Sequence, residues 1–174
     1  PHAEVVALRK AGSKARGADL YVNLEPCCHV GRTPPCTDAI VQSGVSKVFA
    51  GMKDPNKLVQ GKGIRILKAA GIKVSAGMMR NDCEKLNEVF VKVMKTGVPF
   101  VTVKTAMSLD GKIATREGDS QWISGIKSRD FVHELRDQND AVLVGTNTIL
   151  KDNPQLTCRL KKKQGRHPAR IILD

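Results

Sequence analysis

The chain has 174 residues, of which 41% are hydrophobic but only 3% aromatic, and its formal net charge is +12. It contains no run of about 18 apolar residues, which excludes a transmembrane helix, and its five cysteines favour free or metal-bound thiols over a disulfide framework. The positive charge favours anionic partners, either nucleic acid or phosphorylated metabolites, whereas the scarcity of aromatic residues argues against a base-stacking surface.

The first segment of the chain predicts helices that alternate with strands. In chain order we expect a helix over residues 2–10, a buried strand over 19–25, a helix that starts at 37–38 and stops at Gly44, a strand over 47–50, a helix over 64–70, a strand over 72–76, and a long helix over 83–95 capped by Asn81-Asp82. Such alternation implies a parallel or mixed sheet that is covered on both faces.

The residues that carry chemistry lie in two places: His2 and Glu4 in the first helix, and Cys27 and Cys36 in a loop after the first strand. Zinc deaminases combine one His, two Cys and a Glu that is not a ligand, in the order His-x-Glu … Pro-Cys-x-x-Cys. Here the second cysteine follows the first after nine positions rather than three. A cysteine at a helix N-terminus ionises easily, because the helix dipole favours the thiolate, so we expect Cys36 to be a metal ligand.

Several of these residues also allow a purely structural interpretation. His2 and Glu4 are alternatively ordinary residues of a helical first turn. Cys28 rivals Cys27 as a ligand, although adjacent residues rarely converge on one metal with relaxed geometry. The Gly61-Lys62-Gly63 segment either holds a phosphate at a helix N-terminus or is a simple helix-start loop, and it lacks the P-loop pattern.

We place a domain boundary after Gly97, which divides the chain into domains 1–97 and 98–174. The second segment predicts, in order, a strand over 100–106, a tight turn at Asp110-Gly111, a helix capped by Ser124 or Ser128, a strand over 141–145, a short helix capped by Thr146 and ended by 152–154, and a strand that starts at 170. Helices again alternate with strands, so this segment is also predicted to be α/β.

Two sets of motifs resemble a known family. The stretches His2-Ala3-Glu4 and Glu25-Pro26-Cys27-Cys28-His29-Val30-Gly31-Arg32-Thr33-Pro34-Pro35-Cys36 resemble the deaminase half of the bifunctional riboflavin-biosynthesis deaminase–reductase family. The chain also resembles the reductase half of this family, over residues 104–114, 120–124, 133–136, 144–148 and 152–159. The resemblance implies a three-layer cytidine-deaminase-like α/β domain over 1–97, with its N-terminal part missing. It also implies part of a dihydrofolate-reductase-like α/β domain over 98–174, with its C-terminal part missing.

For the deaminase half, the resemblance implies a diaminopyrimidinone substrate that bears a phosphoribosylamino group. It implies three zinc ligands, namely His2, Cys27 and Cys36. Glu4 is expected to transfer protons between the attacking water, the ring and the leaving amine. The resemblance places His29 near the substrate, and Asn23 is a further candidate for substrate binding, although an exposed loop His and a strand Asn are the alternatives.

For the reductase half, the resemblance implies NADPH-dependent reduction of the ribosyl group to a ribityl chain. Lys104 and Asp110 are the polar groups expected beside the reacting sugar. Binding of the phosphosugar is expected at Ser120, Arg136, Leu156 and Arg159. Contacts to the dinucleotide are expected from Trp122, Thr148 and Asp152. The alternatives are a strand-end Lys, a turn Asp, a helix-surface Arg, a core Trp and a helix-end Asp.

Two other classes of function remain open at this point. A zinc deaminase of nucleic acid or of free nucleobases fits the charge and the general motif, and a noncatalytic structural zinc module fits the ligand types alone. Glu4 beside His2 argues against the structural module, since a closed zinc site needs a fourth ligand rather than a carboxylate that activates water. We expect a cytoplasmic homo-oligomer that acts on a phosphorylated pyrimidine and has neither a nucleic-acid nor a membrane partner.

Overall fold

The chain forms two compact α/β units, Pro1–Thr102 and Val103–Asp174, in a computed structural model that describes residues 1–161 and 163–174. The division lies somewhat beyond the predicted boundary after Gly97. Helices alternate with strands in both units, so the predicted α/β class is confirmed. Among the residues described, no helix is both long enough and apolar enough to cross a membrane.

The first unit is built on a three-stranded parallel sheet whose strands lie side by side in chain order. Its elements are α1 (Ala3–Ala11), a 3-10 turn (Gly12–Ala15), β1 (Asp19–Leu24), α2 (Cys36–Ser43), β2 (Lys47–Met52), α3 (Lys62–Ala69), β3 (Lys73–Ala76), α4 (Arg80–Leu86) and α5 (Glu88–Thr96). The predicted α1, α2, β2, α3 and β3 are therefore present, with ends that differ by a few residues.

The core of the first unit lies between the central strand β2 and the helices α2 and α3. Its buried cluster consists of Ala15, Cys36, Ile40, Val45, Val48, Leu67 and Ile72. Gly44 ends α2 in the left-handed conformation (φ 72°), which glycine adopts without a steric cost, and its N–H donates to the Val41 carbonyl. The turn lets the chain pass directly from α2 into β2 and buries Val45.

The carboxyl ends of the parallel strands meet at one edge of the sheet, where open α/β sheets bind their ligands. β1 and β2 end in register, with Leu24 opposite Met52, and the Glu25 N–H donates to the Met52 carbonyl over 2.9 Å. The segments that follow these strands, residues 25–35 and 53–61, therefore leave the sheet side by side.

β1 differs from the prediction of a buried strand. Its residues alternate between exposed and intermediate, because β1 lies at the edge of the three-stranded sheet and pairs only with β2 among the described strands. The outward face carries Tyr21, whose ring stacks on Phe49 with 4.7 Å between the ring centroids. The alternating pattern is that of a half-covered strand.

The predicted long helix over 83–95 is wrong, since two helices occupy this region. α4 ends at Leu86 and α5 begins at Glu88, and Asn87 between them has φ −103° and ψ 17°. Its Nδ2 donates to the Cys83 carbonyl, so the amide side chain competes with the helical ladder. The predicted caps Asn81 and Asp82 lie inside α4, which begins after Met79.

Gly51 is required where α4 packs on β2. A Cβ at this position would overlap the Cys83 sulfur and would lie 2.9 Å from the Asn23 carbonyl oxygen. We therefore expect Gly51→Ala to lower the free energy of unfolding by about 1–3 kcal/mol, the usual cost of overpacking. Denaturant titration of the full chain measures this loss. Gly31→Ala is the matched control, because its Cβ would meet only the His29 Nε2 at 3.8 Å, and equal stability of the two variants would contradict the packing argument.

The second unit contains a two-stranded parallel sheet with helices before and between its strands. Its elements are α6 (Ile126–Gln138), β4 (Ala141–Gly145), α7 (Thr146–Asp152) and β5 (Ala169–Leu173). The predicted strands over 141–145 and from 170 are thus present. The predicted turn is present as well, since the Gly111 N–H donates to the Ser108 carbonyl over 3.0 Å and Gly111 has φ 82°.

Three predictions for the second segment are wrong. Residues 100–106 form no strand, because a strand needs a hydrogen-bonded neighbour and, among the described strands, β4 and β5 pair only with each other. Neither Ser124 nor Ser128 caps α6, which begins after Gly125. Thr146 is the first residue of α7 rather than its cap, and its hydroxyl donates to the Leu173 carbonyl over 3.1 Å.

Candidate metal centre and neighbouring polar sites

Three potential metal ligands converge at the carboxyl edge of the first sheet. His2 immediately precedes α1, Cys27 follows β1, and Cys36 is the first residue of α2. The His2 Nδ1 lies 3.1 Å from the Cys36 Sγ and 3.4 Å from the Cys27 Sγ, and all three ligand atoms lie within 4.8 Å of one another. Cys27 rather than its neighbour Cys28 belongs to this group.

Backbone hydrogen bonds bridge the long spacing between the two cysteines. The Cys36 N–H donates to the Cys27 Sγ over 3.3 Å, and the Thr37 N–H donates to the Cys27 carbonyl over 3.2 Å. Both donors belong to the first turn of α2, where N–H groups lack partners within the helix. The loop over residues 28–35 can therefore be long without separating the two sulfur atoms.

The Cys36 thiol is harder to ionise than the sequence predicts. The sequence predicts easy ionisation at a helix N-terminus, but Cys36 is fully buried, and burial followed by the negative charge of Glu4 raises its pKa well above the ordinary value. Desolvation and a nearby carboxylate thus outweigh the helix dipole. A metal ion is the group that would ionise this thiol, because coordination removes the proton of a cysteine ligand.

The donor set fits a zinc ion. Zinc accepts imidazole nitrogen and thiolate sulfur, and a catalytic zinc site has three protein ligands with a fourth position left for water. His2, Cys27 and Cys36 supply such a set, and Glu4 lies two residues after His2, in the first turn of α1, with its charge close to Cys36. The three residues are thus those that would hold zinc, with a carboxylate beside them.

The remaining predicted residues of this half lie on either side of Cys27 along the chain. Asn23 is exposed on β1. His29 is half-buried, and its Nδ1 is buried without a hydrogen-bond partner in the described part of the chain. Asp54, which the sequence did not single out, is buried near His29, and burial raises the pKa of its carboxyl group. An acidic residue four positions after the end of the predicted strand over 47–50 was the available signal.

Of the two interpretations of Gly61-Lys62-Gly63, a phosphate site or a helix-start loop, the structure favours the loop. The Glu25 carboxylate, at the start of the cysteine motif, accepts hydrogen bonds from the N–H groups of Gly61 and Ile64. An internal carboxylate therefore occupies the anion position at the start of α3.

In the second unit, Arg136 on α6 lies close to Arg159 and to the segment over residues 156–159. Arg136 is half-buried on α6, its Nη1 donates to the Thr157 carbonyl over 3.2 Å, and its Nε is buried with no partner among the described residues. Burial and the neighbouring Arg159 lower the pKa of Arg136. Leu156 is buried with φ 54°, a left-handed conformation that is unusual for a leucine. The structure thus brings Arg136, Leu156 and Arg159 to one place.

The other predicted residues of the second unit are more dispersed. Ser120 and Lys104 are exposed, and the Asp110 carboxylate accepts a hydrogen bond from the Ser108 hydroxyl over 2.6 Å in the exposed turn. Thr148 and Asp152 belong to α7.

Trp122 belongs to an arrangement that bears on dinucleotide binding. Its ring is exposed rather than part of a core, and the Arg129 guanidinium lies 4.3 Å from its centroid. An exposed aromatic ring with a guanidinium fits an anionic dinucleotide, because arginine hydrogen-bonds phosphate and the ring offers a stacking surface. These residues are therefore compatible with an NADPH-type cofactor.

Comparison with known proteins matches both units. The zinc-binding region of cytidine and deoxycytidylate deaminases matches residues 1–52, and the RibD C-terminal domain matches residues 99–174. The first unit thus contains a region of the zinc-deaminase type, and a domain of the RibD C-terminal type follows it.

Individual relatives cover the whole chain. Riboflavin biosynthesis protein RibD of Bacillus amyloliquefaciens is 51% identical over 99% of this chain and 46% of its own length, and that of Escherichia coli is 48% identical over 100% and 50%. The crystal structure of a Thermotoga maritima diaminohydroxyphosphoribosylaminopyrimidine deaminase/5-amino-6-(5-phosphoribosylamino)uracil reductase is similar with a TM-score of 0.89 at 49% identity, over 100% of this chain and 50% of that one. Acinetobacter baumannii RibD gives 0.90 at 46% identity, over 99% and 49%.

The chain belongs to the RibD family of riboflavin biosynthesis proteins, as the resemblance in its motifs predicts. It spans about half the length of the curated relatives that it matches.

Proposed function

We propose that the first unit catalyses the zinc-dependent hydrolytic deamination of a diaminopyrimidinone that bears a phosphoribosylamino group. The observation that carries this proposal is the convergence of His2, Cys27 and Cys36 with Glu4 beside them. Zinc held by the three side chains would supply the Lewis acid that makes water nucleophilic at neutral pH. Membership of the RibD family supports the identity of the substrate.

Glu4 is the residue that would move protons in this reaction. Its carboxylate accepts a proton from the attacking water and delivers it to the ring nitrogen. It then accepts the second proton from the same oxygen, once that oxygen is bound to the ring carbon, and delivers it to the leaving amine. The ring carbon exchanges its amino group for oxygen, and ammonia leaves. His29, whose buried Nδ1 has no partner in the described structure, and Asn23 are the residues proposed to bind the substrate.

The second unit is proposed to contribute to the reduction of the ribosyl group to ribityl. NADPH, when bound, supplies the hydride, and Trp122, Thr148 and Asp152 are proposed to contact it. Lys104 and Asp110 are proposed to lie beside the reacting sugar. The proposed phosphosugar site consists of Ser120, Arg136, Leu156 and Arg159. Arginines suit this role, since their planar guanidinium groups donate paired hydrogen bonds to phosphate.

The deaminase proposal is tested by metal analysis and ammonia release with the full chain. We expect about one zinc ion per chain and ammonia release from the phosphoribosylamino-diaminopyrimidinone. Parallel assays with single-stranded nucleic acid and with free cytosine test the two other deaminase substrates, on which no release is expected. Bound zinc without ammonia release from any of the three would favour the structural zinc module instead.

Arg159→Ala tests the proposed phosphosugar site in the second unit. Loss of charge-assisted hydrogen bonds to phosphate costs about 1.5–3 kcal/mol, so we expect the KM for the phosphosugar in NADPH oxidation to rise roughly 10- to 100-fold. Lys161→Ala is the matched control, because this nearby cation is already paired with Asp130 at 2.6 Å. An unchanged KM in Arg159→Ala, or the same rise in both variants, would remove Arg159 from the site.

The association state stays a prediction. A homo-oligomer is expected, and sedimentation analysis of the full chain would show whether it forms.

A further inference from the structure

Glu25 is a buried carboxylate that the deamination chemistry does not use. It follows β1 directly, only 2% of its surface is exposed, and both of its oxygens accept hydrogen bonds from backbone N–H groups. Oε2 accepts from Asp54 over 3.2 Å and from Gly61 over 2.9 Å, and Oε1 accepts from Ile64 over 3.2 Å. One side chain thus ties together the end of β1, the segment after β2 and the first turn of α3.

A carboxylate is the side chain that matches this set of donors. It offers two acceptor oxygens and no donor, and it lies at the N-terminus of a helix, where the dipole favours negative charge. The Ile64 N–H belongs to the first turn of α3 and would otherwise lack a partner within the helix. Replacement of one oxygen by an amide NH₂ would place a donor against a donor.

The Glu25 anchor lies two residues before the proposed zinc ligand Cys27. Pro26 between them is fully buried, and its carbonyl packs so closely on α3 that a Cβ at Gly63 would overlap it. Cys27 itself is held by α2, because its carbonyl accepts a hydrogen bond from the Thr37 N–H over 3.2 Å. The backbone at Cys27 is therefore fixed from both sides, by α3 through Glu25 and by α2 through Thr37.

We propose that Glu25 is a positioning residue for the metal centre: by locking the segment before Cys27 onto α3, it sets the direction in which the Cys27 Sγ points. This inference rests on the proposed function, because it concerns the same zinc site. It assigns to Glu25 a role that extends beyond capping a helix. Loss of the anchor should weaken the metal centre itself, and not only the fold.

The test compares variants of the full chain loaded with Co²⁺, whose visible bands report on the geometry of thiolate ligands. Glu25→Gln should shift or weaken these bands and should lower zinc affinity on the order of 10-fold, as measured by competition with a chelator. Leu67→Ala is the matched control. Leu67 is fully buried in the same helix α3, so its truncation destabilises the fold without touching the Glu25 hydrogen bonds.

Cobalt bands and zinc affinity that stay at wild-type values in Glu25→Gln would overturn the proposal, whatever its thermal stability. So would equal changes in Glu25→Gln and Leu67→Ala. If Glu25→Gln does not fold, Gly63→Ala replaces it, because a Cβ there displaces the Pro26 carbonyl and lies 3.3 Å from the Glu25 Oε1. Altered bands are then expected, and unaltered bands would overturn the proposal.

The outcome is separable from that of the proposed function. If Glu25→Gln changes the cobalt bands but the wild type releases no ammonia, the positioning role is supported and the proposed deaminase activity is contradicted. Ammonia release by the wild type, with bands that do not respond, would remove only the positioning role.

Discussion

Glu4→Gln should leave zinc bound and should slow ammonia release by roughly 10²- to 10⁴-fold, the usual contribution of a general acid–base group. The expected retention of zinc follows from the geometry, since the three ligand atoms belong to His2, Cys27 and Cys36. The expected loss of rate follows from chemistry. An amide at Glu4 has nearly the shape of the carboxylate but neither accepts the proton of the attacking water nor protonates the leaving amine.

The matched control for this variant is Glu88→Gln. Glu88 is likewise a glutamate in the first turn of a helix, but it is exposed at the start of α5. Zinc content and ammonia release of this variant should equal those of the wild type. Normal turnover in Glu4→Gln would rule out the proton-transfer role, and loss of zinc from Glu4→Gln would show that Glu4 supports the metal rather than the reaction.

Cys36→Ser should remove zinc and, with it, ammonia release. A serine hydroxyl is a much weaker zinc ligand than a thiolate. Cys36 is fully buried at the start of α2, so the serine would be held in the same position. The loss of zinc affinity should exceed the roughly 10- to 100-fold that follows removal of a supporting group around a metal site. Metal analysis after dialysis against a chelator measures it.

Cys28→Ser is the matched control for Cys36→Ser. Cys28 is adjacent to a proposed ligand but lies outside the group of three, so its serine variant should retain zinc. Zinc that is lost from Cys28→Ser and kept by Cys36→Ser would reverse the assignment of the ligands.

The residues of the metal centre could be predicted from the sequence because their types and order are restrictive. One His, one Glu and two Cys in fixed order suggest zinc chemistry even with a long insertion between the cysteines. The structure adds how the insertion is tolerated, since N–H groups of Cys36 and Thr37 bond back to Cys27. The roles of the individual residues stay proposals until the variants are measured.

Other features could not be predicted because they depend on partners far along the chain. The donors to Glu25 lie 29 to 39 positions later, so neither its role nor the capping of α3 is visible locally. The same holds for Cys36, where a local rule predicted ionisation but burial and Glu4 raise its pKa. Residues 100–106 are rich in β-branched residues, as strands are, yet a strand exists only with a neighbour to pair with.

The most direct test of the central claim is anomalous diffraction at the zinc edge from crystals of the full chain. We expect one anomalous peak within bonding distance of the His2 Nδ1 and of the sulfurs of Cys27 and Cys36, with Glu4 close by but not coordinated. A peak bound by other residues, or one closed by a fourth protein ligand such as Cys28, would contradict the central claim.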